Sequence, residues 1–181
     1  QENLTSASVA AYPAGVHFVG TEGGDIFVGT VGNDTAEGNG GDDSLSGGYR
    51  NDLIFGGSGS DTVIGGYGND TLIGGSESDE LHGNEGDDTI EADTGNDTIL
   101  GGAGNDAIFF GLGNDLVYAG SGDDFVDDRI GRSLDGNDTI YGEEGADTVY
   151  SGHGNDLILG GEGPDVLYGE DGLDTLSGGL G

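Results

Sequence analysis

Gly65-Gly66-Tyr67-Gly68-Asn69-Asp70-Thr71-Leu72-Ile73 is one unit of a pattern that the chain repeats in register along most of its 181 residues. Gly101-Gly102-Ala103-Gly104-Asn105-Asp106-Ala107-Ile108-Phe109 is another. Counted from the first glycine, position six is an aspartate. It recurs every nine residues as Asp25, Asp34, Asp43, Asp52, Asp61, Asp70, Asp79, Asp88, Asp97, Asp106, Asp115 and Asp124. After a slip of five residues it resumes as Asp138, Asp147, Asp156, Asp165 and Asp174. Self-similarity at a fixed short period is the sequence signature of a solenoid, whose repeats bury their apolar faces only against each other.

The first six positions are Gly-rich and polar, and the last three are β-branched or apolar, which reads as a turn followed by a short strand. Position eight holds Phe27, Ala36, Leu45, Ile54, Val63, Leu72, Leu81, Ile90, Ile99, Ile108, Val117, Val126, Ile140, Val149, Ile158, Leu167 and Leu176, none of them polar. Neighbouring side chains of a strand point to opposite faces, so position eight is expected as the single inward residue of a three-residue strand. One inward side chain cannot bury itself. Two successive repeats are therefore expected to form one coil, with repeats i and i+2 stacked as parallel neighbours. The expected fold is an all-β parallel β-roll, a β-helix-like solenoid with two nonapeptides per coil. Some eight coils at about 4.8 Å each make a rod roughly 40 Å long. Glycine at positions one, two and four is assigned to the turn, where the backbone takes positive φ or approaches its neighbour closely. Position four departs from Gly at Arg50 and Glu77; positions one and two depart from it at Asn39, Ala92, Phe110 and Ala119, among others.

The chain carries 36 Asp plus Glu against three Arg and no Lys, for a formal charge of -33, and only 32% of its residues are hydrophobic. Such a composition by itself predicts a disordered polyanion. The regular period argues for order, and the two expectations agree if the chain folds only when cations neutralise it. The acidity disfavours nucleic acid and anionic lipid as partners. No apolar run is long enough for a membrane-spanning helix, and no signal peptide is visible at Gln1. With no Cys, no disulfide supports the fold.

Stacked turns bring the aspartate of repeat i near that of repeat i+2. Two close carboxylates repel, and a hard dication between them reverses the sign of the interaction. Ca²⁺ takes six to eight oxygen ligands from carboxylates and backbone carbonyls, and the turns offer both. Mg²⁺ demands stricter octahedral geometry. Zn²⁺ prefers His or Cys, whereas His17, His82 and His153 stand far apart in the sequence.

The pattern Gly-Gly-X-Gly-X-Asp-X-U-X, with U a large aliphatic residue, resembles the nonapeptide of the RTX (hemolysin-type calcium-binding) repeat family. The resemblance runs from about Gly20 to Gly181. It implies a parallel β-roll with Ca²⁺ held between successive turns on each edge, at about fifteen interior sites. By this resemblance the ligands are the position-six aspartates named above and backbone carbonyls of the turns, such as those of Gly57, Gly59, Gly66, Gly68, Gly102, Gly104, Gly161 and Gly163. Arg50 and Glu77 interrupt the motif in their own turns. The resemblance also implies a secreted bacterial protein that leaves the cell unfolded through a type I channel and folds outside, where calcium is abundant. Metal binding and folding are then one equilibrium.

Three features depart from the period. Residues 1–19 lack it and read as an N-terminal linker or cap, in which Tyr12, Val16, Phe18 and Val19 cover the first coil of the 20–181 roll. Asp128-Arg129-Ile130-Gly131-Arg132 is a five-residue insertion, expected to bulge at the surface or to serve as a contact loop. Gly178-Gly179-Leu180-Gly181 begins a further repeat, so the chain is expected to be a piece of a longer polypeptide or to be capped by a neighbour. Apolar residues at position nine, such as Phe55, Ile73 and Phe109 on one sheet and Ile64, Leu100 and Tyr118 on the other, suit cross-strand ladders or packing against another domain or another copy.

Catalysis is not expected. The carboxylates in register have a structural role, Ser residues lack a nucleophile elbow, and no HExxH is present. The Asn-X-Thr sequons at Asn33, Asn69, Asn96 and Asn137 follow from the repeat itself. Ice binding asks for a regular Thr or Asn array, and Val31, Tyr49, Tyr67, Glu85, Ala103 and Ser121 at position three are irregular. Two function classes are left open: a calcium-dependent structural module of a secreted protein, and a subunit of a self-assembling surface layer, filament or adhesin.

Overall fold

The computed structural model describes residues 15–128 and 136–181. These form an all-β parallel solenoid of about nine turns, with no helix. One nine-stranded sheet contains His17–Val19, Thr35–Gly40, Leu53–Ser58, Thr71–Ser76, Thr89–Thr94, Ala107–Phe109, Phe125–Asp127, Thr148–Tyr150 and Val166–Tyr168. The other contains Ile26–Val28, Ser44–Tyr49, Thr62–Tyr67, Glu80–Glu85, Thr98–Ala103, Leu116–Ser121, Thr139–Glu144, Leu157–Glu162 and Thr175–Ser177. Every pairing is parallel, and all but those spanning the insertion join residues 18 apart, as in Leu53↔Thr71 and Thr62↔Glu80. Two nonapeptides thus make one coil. Across the insertion the offset is 23, as in Leu116↔Thr139, it returns to 18 at Thr139↔Leu157, and position eight still meets position eight. The expected eight coils become nine because His17–Val19, outside the clear period, pairs with Thr35–Glu37 as the first strand of its sheet.

Position eight forms the core, from Phe27 to Ile158, and Phe18 and Leu167 pack against it from the two ends. Phe18 stacks on Phe27 at 5.0 Å between ring centroids. Val16 and Val19 are exposed, and Tyr12 lies outside the described residues. Leu176, in the last strand, is 44% exposed because no further coil covers it among the described residues.

The strand length corrects one expectation. Many strands span six residues, from position seven to position three of the next unit, and burial alternates over their first four residues. Position one is therefore a second inward position and belongs to the strand. Ala92, Phe110 and Ala119 at this position are fully buried core residues. Asp128 occupies the same row. It was expected to open a surface bulge, yet it is only 7% exposed, and its N–H donates to the Tyr150 carbonyl at 3.1 Å. Residues 129–132 of the insertion lie outside the described residues.

Position nine is half-buried on the outer faces except in the end coils, and it stacks between coils. Tyr118 meets Tyr141 at 4.9 Å, and Tyr150 meets Tyr168 at 4.5 Å. These are the cross-strand ladders that support a sheet face.

Candidate metal-binding ladders

The turns between the sheets place the position-six aspartates in two rows. One edge carries Asp25, Asp43, Asp61, Asp79, Asp97, Asp115, Asp138, Asp156 and Asp174. The other carries Asp34, Asp52, Asp70, Asp88, Asp106, Asp124, Asp147 and Asp165. In each row the carboxylate leans one coil back, and its Oδ1 accepts the backbone N–H of the preceding aspartate. On the first edge these bonds run from Asp25 N–H to Asp43, 2.7 Å, through to Asp156 N–H to Asp174, 3.1 Å. On the second they run from Asp34 N–H to Asp52, 2.6 Å, through to Asp147 N–H to Asp165, 3.2 Å. All seventeen predicted aspartates thus fall into fifteen inter-coil steps, eight on one edge and seven on the other.

The second carboxylate oxygen is the chemically telling atom. In Asp43, Asp52, Asp61, Asp70, Asp79, Asp88, Asp97, Asp106, Asp124, Asp147 and Asp165, Oδ2 is buried and accepts no hydrogen bond. A buried polar atom without a partner is costly, and a buried anion much more so. Burial is the main force on these groups. It pushes Asp52, Asp79, Asp88 and Asp124 up to about 7. It pushes Asp61, Asp70, Asp97 and Asp106 up to about 6. Asp43 and Asp147 are raised as well. The N–H of the preceding aspartate opposes the shift in every case, and where carboxylates in neighbouring coils act on the group they add to it.

The position-one glycines are explained by the same oxygen. A Cβ on Gly56 would lie 2.5 Å from Asp61 Oδ2 and 2.6 Å from the Gly74 carbonyl oxygen. Gly101 stands likewise under Asp106 Oδ2, at 2.6 Å. The carboxylate folds over its own repeat's first Cα, so the glycine leaves room for the anion rather than shaping the turn.

Backbone carbonyls line the turns as well. Those of Gly68, Gly86 and Gly104 at position four point at the position-four Cα one coil on. The carbonyls of Gly59, Gly68, Gly104 and Gly163 accept no backbone hydrogen bond, whereas that of Gly161, at position two, already takes the Leu180 N–H at 2.8 Å. Gly57, Gly66 and Gly102 sit within the paired strands at the equivalent place. No three metal-ligating side chains cluster among the described residues. Each step offers two carboxylates, so any further oxygens come from the backbone. Unpaired buried carboxylate oxygens, together with free carbonyls in the same turns, are a donor set suited to a hard, oxygen-seeking dication of Ca²⁺ type.

One ladder lay hidden in the sequence reading. Position-five side chains lean one coil forward, opposite to the aspartates. Asn96 Oδ1 accepts from Asn114 N–H, Asn114 from Asn137 and Asn137 from Asn155, each at 2.8 Å. Asp87 and Asn105 do the same on the other edge. The recurrence of Asn, Asp or Ser before the periodic Asp was the available signal.

The histidines stand apart from both rows: His82 pairs with Glu80 at 2.8 Å and His153 with Asp171 at 3.6 Å. No helix among the described residues is long and apolar enough to cross a membrane.

Comparison with curated proteins found no match. The family model of the RTX calcium-binding nonapeptide repeat, four copies in length, matches residues 19–49, 46–81, 82–117, 111–127, 132–158 and 152–181. Its only internal gap falls on the insertion, and the repeat it describes is a calcium-binding unit without catalytic residues. With two aspartate ladders, a nine-residue period and matches along nearly its whole length, this chain belongs to the RTX calcium-binding nonapeptide repeat family.

Proposed function

We propose that this chain is a calcium-loaded scaffold of a secreted bacterial protein, folding outside the cell as its two aspartate ladders fill. The observation that carries the reading is the row of buried Oδ2 atoms without a hydrogen bond, repeated step after step on both edges. In this reading the seventeen periodic aspartates are ligands, and position-four carbonyls such as Gly59, Gly68, Gly104 and Gly163 are their main backbone partners. The position-two carbonyls of Gly57, Gly66, Gly102 and Gly161 contribute through their second lone pair. Residues from about 20 onward form the cation-binding roll, and Phe18 closes its first coil. Bound Ca²⁺ supplies positive charge between like-charged coils. The residues of the chain exclude water from the carboxylates, fix Oδ1 on a backbone N–H and leave Oδ2 for the ion. The role is structural, with no catalytic step.

The outer aromatic stacks Tyr118–Tyr141 and Tyr150–Tyr168 support a second reading, in which copies of the roll pack side by side into a surface layer or filament. One calcium titration tests both. Chelation with EGTA at neutral pH is expected to abolish the β signal in circular dichroism, and added Ca²⁺ to restore it cooperatively. A spectrum indifferent to chelation refutes the first reading. Sedimentation of the calcium-loaded sample as a monomer at every concentration refutes the second.

A further inference from the structure

Position four takes positive φ in most coils, from 92° at Gly41 to 156° at Gly172, and the repeat meets this with glycine. Glu77 takes the position with φ 75°, a backbone conformation that side-chain-bearing residues rarely adopt. Its side chain folds back one coil. Glu77 Oε2 accepts the Gly59 N–H at 2.9 Å and the Ser76 hydroxyl at 2.8 Å. The next N–H along, that of Ser60, donates to Asp42 Oδ1 at 3.0 Å from the coil below. The turn Gly59-Ser60-Asp61 is thereby held from above and below by two exposed carboxylates. Beside them, Asp61 and Asp79 are 2% and 4% exposed, and the Oδ2 of each accepts no hydrogen bond. The charge of Glu77 acts on both. Most steps have two aspartates; Asp87 or Asp123 adds a third carboxylate at some steps of the other edge, and Asp42 and Asp93 do so on this one. This step has four, in Asp42, Asp61, Glu77 and Asp79, and it is the middle one of three consecutive steps crowded by Asp42, Glu77 and Asp93. On that other edge, Arg50 stands at position four with φ 71° and brings a positive charge to the turn of Asp52.

Building on the calcium reading above, we infer that Glu77 makes the Asp61–Asp79 step the tightest calcium site of the chain and the first to fill. No three carboxylates there already stand at common ligating distance. Glu77 therefore acts as a charge placed beside the site, and its two hydrogen bonds fix that charge. Calcium affinity rises with the number of anionic groups around a site, and a fixed charge outside it does so without changing how many ions bind. The roll then has a built-in starting point in its N-terminal half, from which coils order in both directions, as expected of a nearest-neighbour array.

The test is calorimetric titration of the whole chain with Ca²⁺, together with hydrogen exchange at residues 59–61 as calcium is added. In Glu77→Gln, which keeps an acceptor for Gly59 and Ser76, the first binding step is expected to weaken about tenfold with the saturating stoichiometry unchanged. Early protection at 59–61 is expected to be lost. Glu77→Gly, which restores the consensus residue and relieves the backbone, is expected to shift the same step in the same direction. Arg50→Gln is expected to leave that first step in place. First steps identical to wild type in both Glu77 variants overturn the inference while leaving calcium-driven folding intact, as does an equal weakening in Arg50→Gln. A wild-type chain that takes up no calcium overturns both readings.

Discussion

Protons should substitute for calcium, and the ladders say over which pH range. Eight aspartates are held by burial at about 6 or 7, against about 3.9 in an unfolded chain. A carboxyl whose folded value is raised favours the folded state when protonated. Its stabilising effect is fully present below the unfolded value near 4 and is lost as pH rises through 6 to 7. Each pH unit of separation is worth about 1.4 kcal/mol per group. For Asp52, Asp79, Asp88 and Asp124, ionisation at pH 7.5 then costs at most roughly 4 kcal/mol each. Solvent screening and local relaxation reduce this, and halving it still leaves on the order of 8 kcal/mol for the four together. That matches the whole stability of an ordinary domain, about 5–15 kcal/mol. The expected outcome is a metal-free chain that is disordered at pH 7.5 and gains parallel β-structure on acidification toward pH 5. The assay is far-UV circular dichroism of protein freed of metal by chelating resin, since EGTA loses its grip on calcium in acid. The isoelectric point near 4.1 sets the lower limit of the titration, and sedimentation at each pH separates folding from association. A metal-free chain that is fully β-structured at pH 7.5, or one that stays disordered down to pH 5, refutes the electrostatic account.

Two further outcomes concern single residues. Asp106→Ala, in the middle of a ladder, is expected to raise the calcium midpoint of folding more than Asp174→Ala at its end, because Asp106 has coils on both sides; equal midpoints in the two variants contradict a nearest-neighbour stack. Gly56→Ala puts a methyl 2.5 Å from Asp61 Oδ2 and is expected to weaken the neighbouring calcium step, whereas Ala119→Gly should be tolerated; calorimetric titration that finds Gly56→Ala unchanged removes the proposed role of the position-one glycine.

The sequence alone determined the period, the pairing of residues 18 apart, the apolar row from Phe27 to Ile158 and the two rows of aspartate. These follow from repetition, since equivalent residues in a stacked array must occupy equivalent places. Repetition does not say which way a side chain leans or which of its atoms is already taken. Only the tertiary structure decided that Asp70 reaches back to Asp52, spending Oδ1 on a backbone N–H and leaving Oδ2 without a hydrogen bond. It alone turned position one inward, so that Phe110 and Asp128 are buried and Gly56 makes room for a carboxylate. It also gave Asn114 and its equivalents a ladder running the other way. The physical reason is that all of these bonds join residues a full coil apart. Their direction is set by strand length and coil stacking, which no nine-residue window contains.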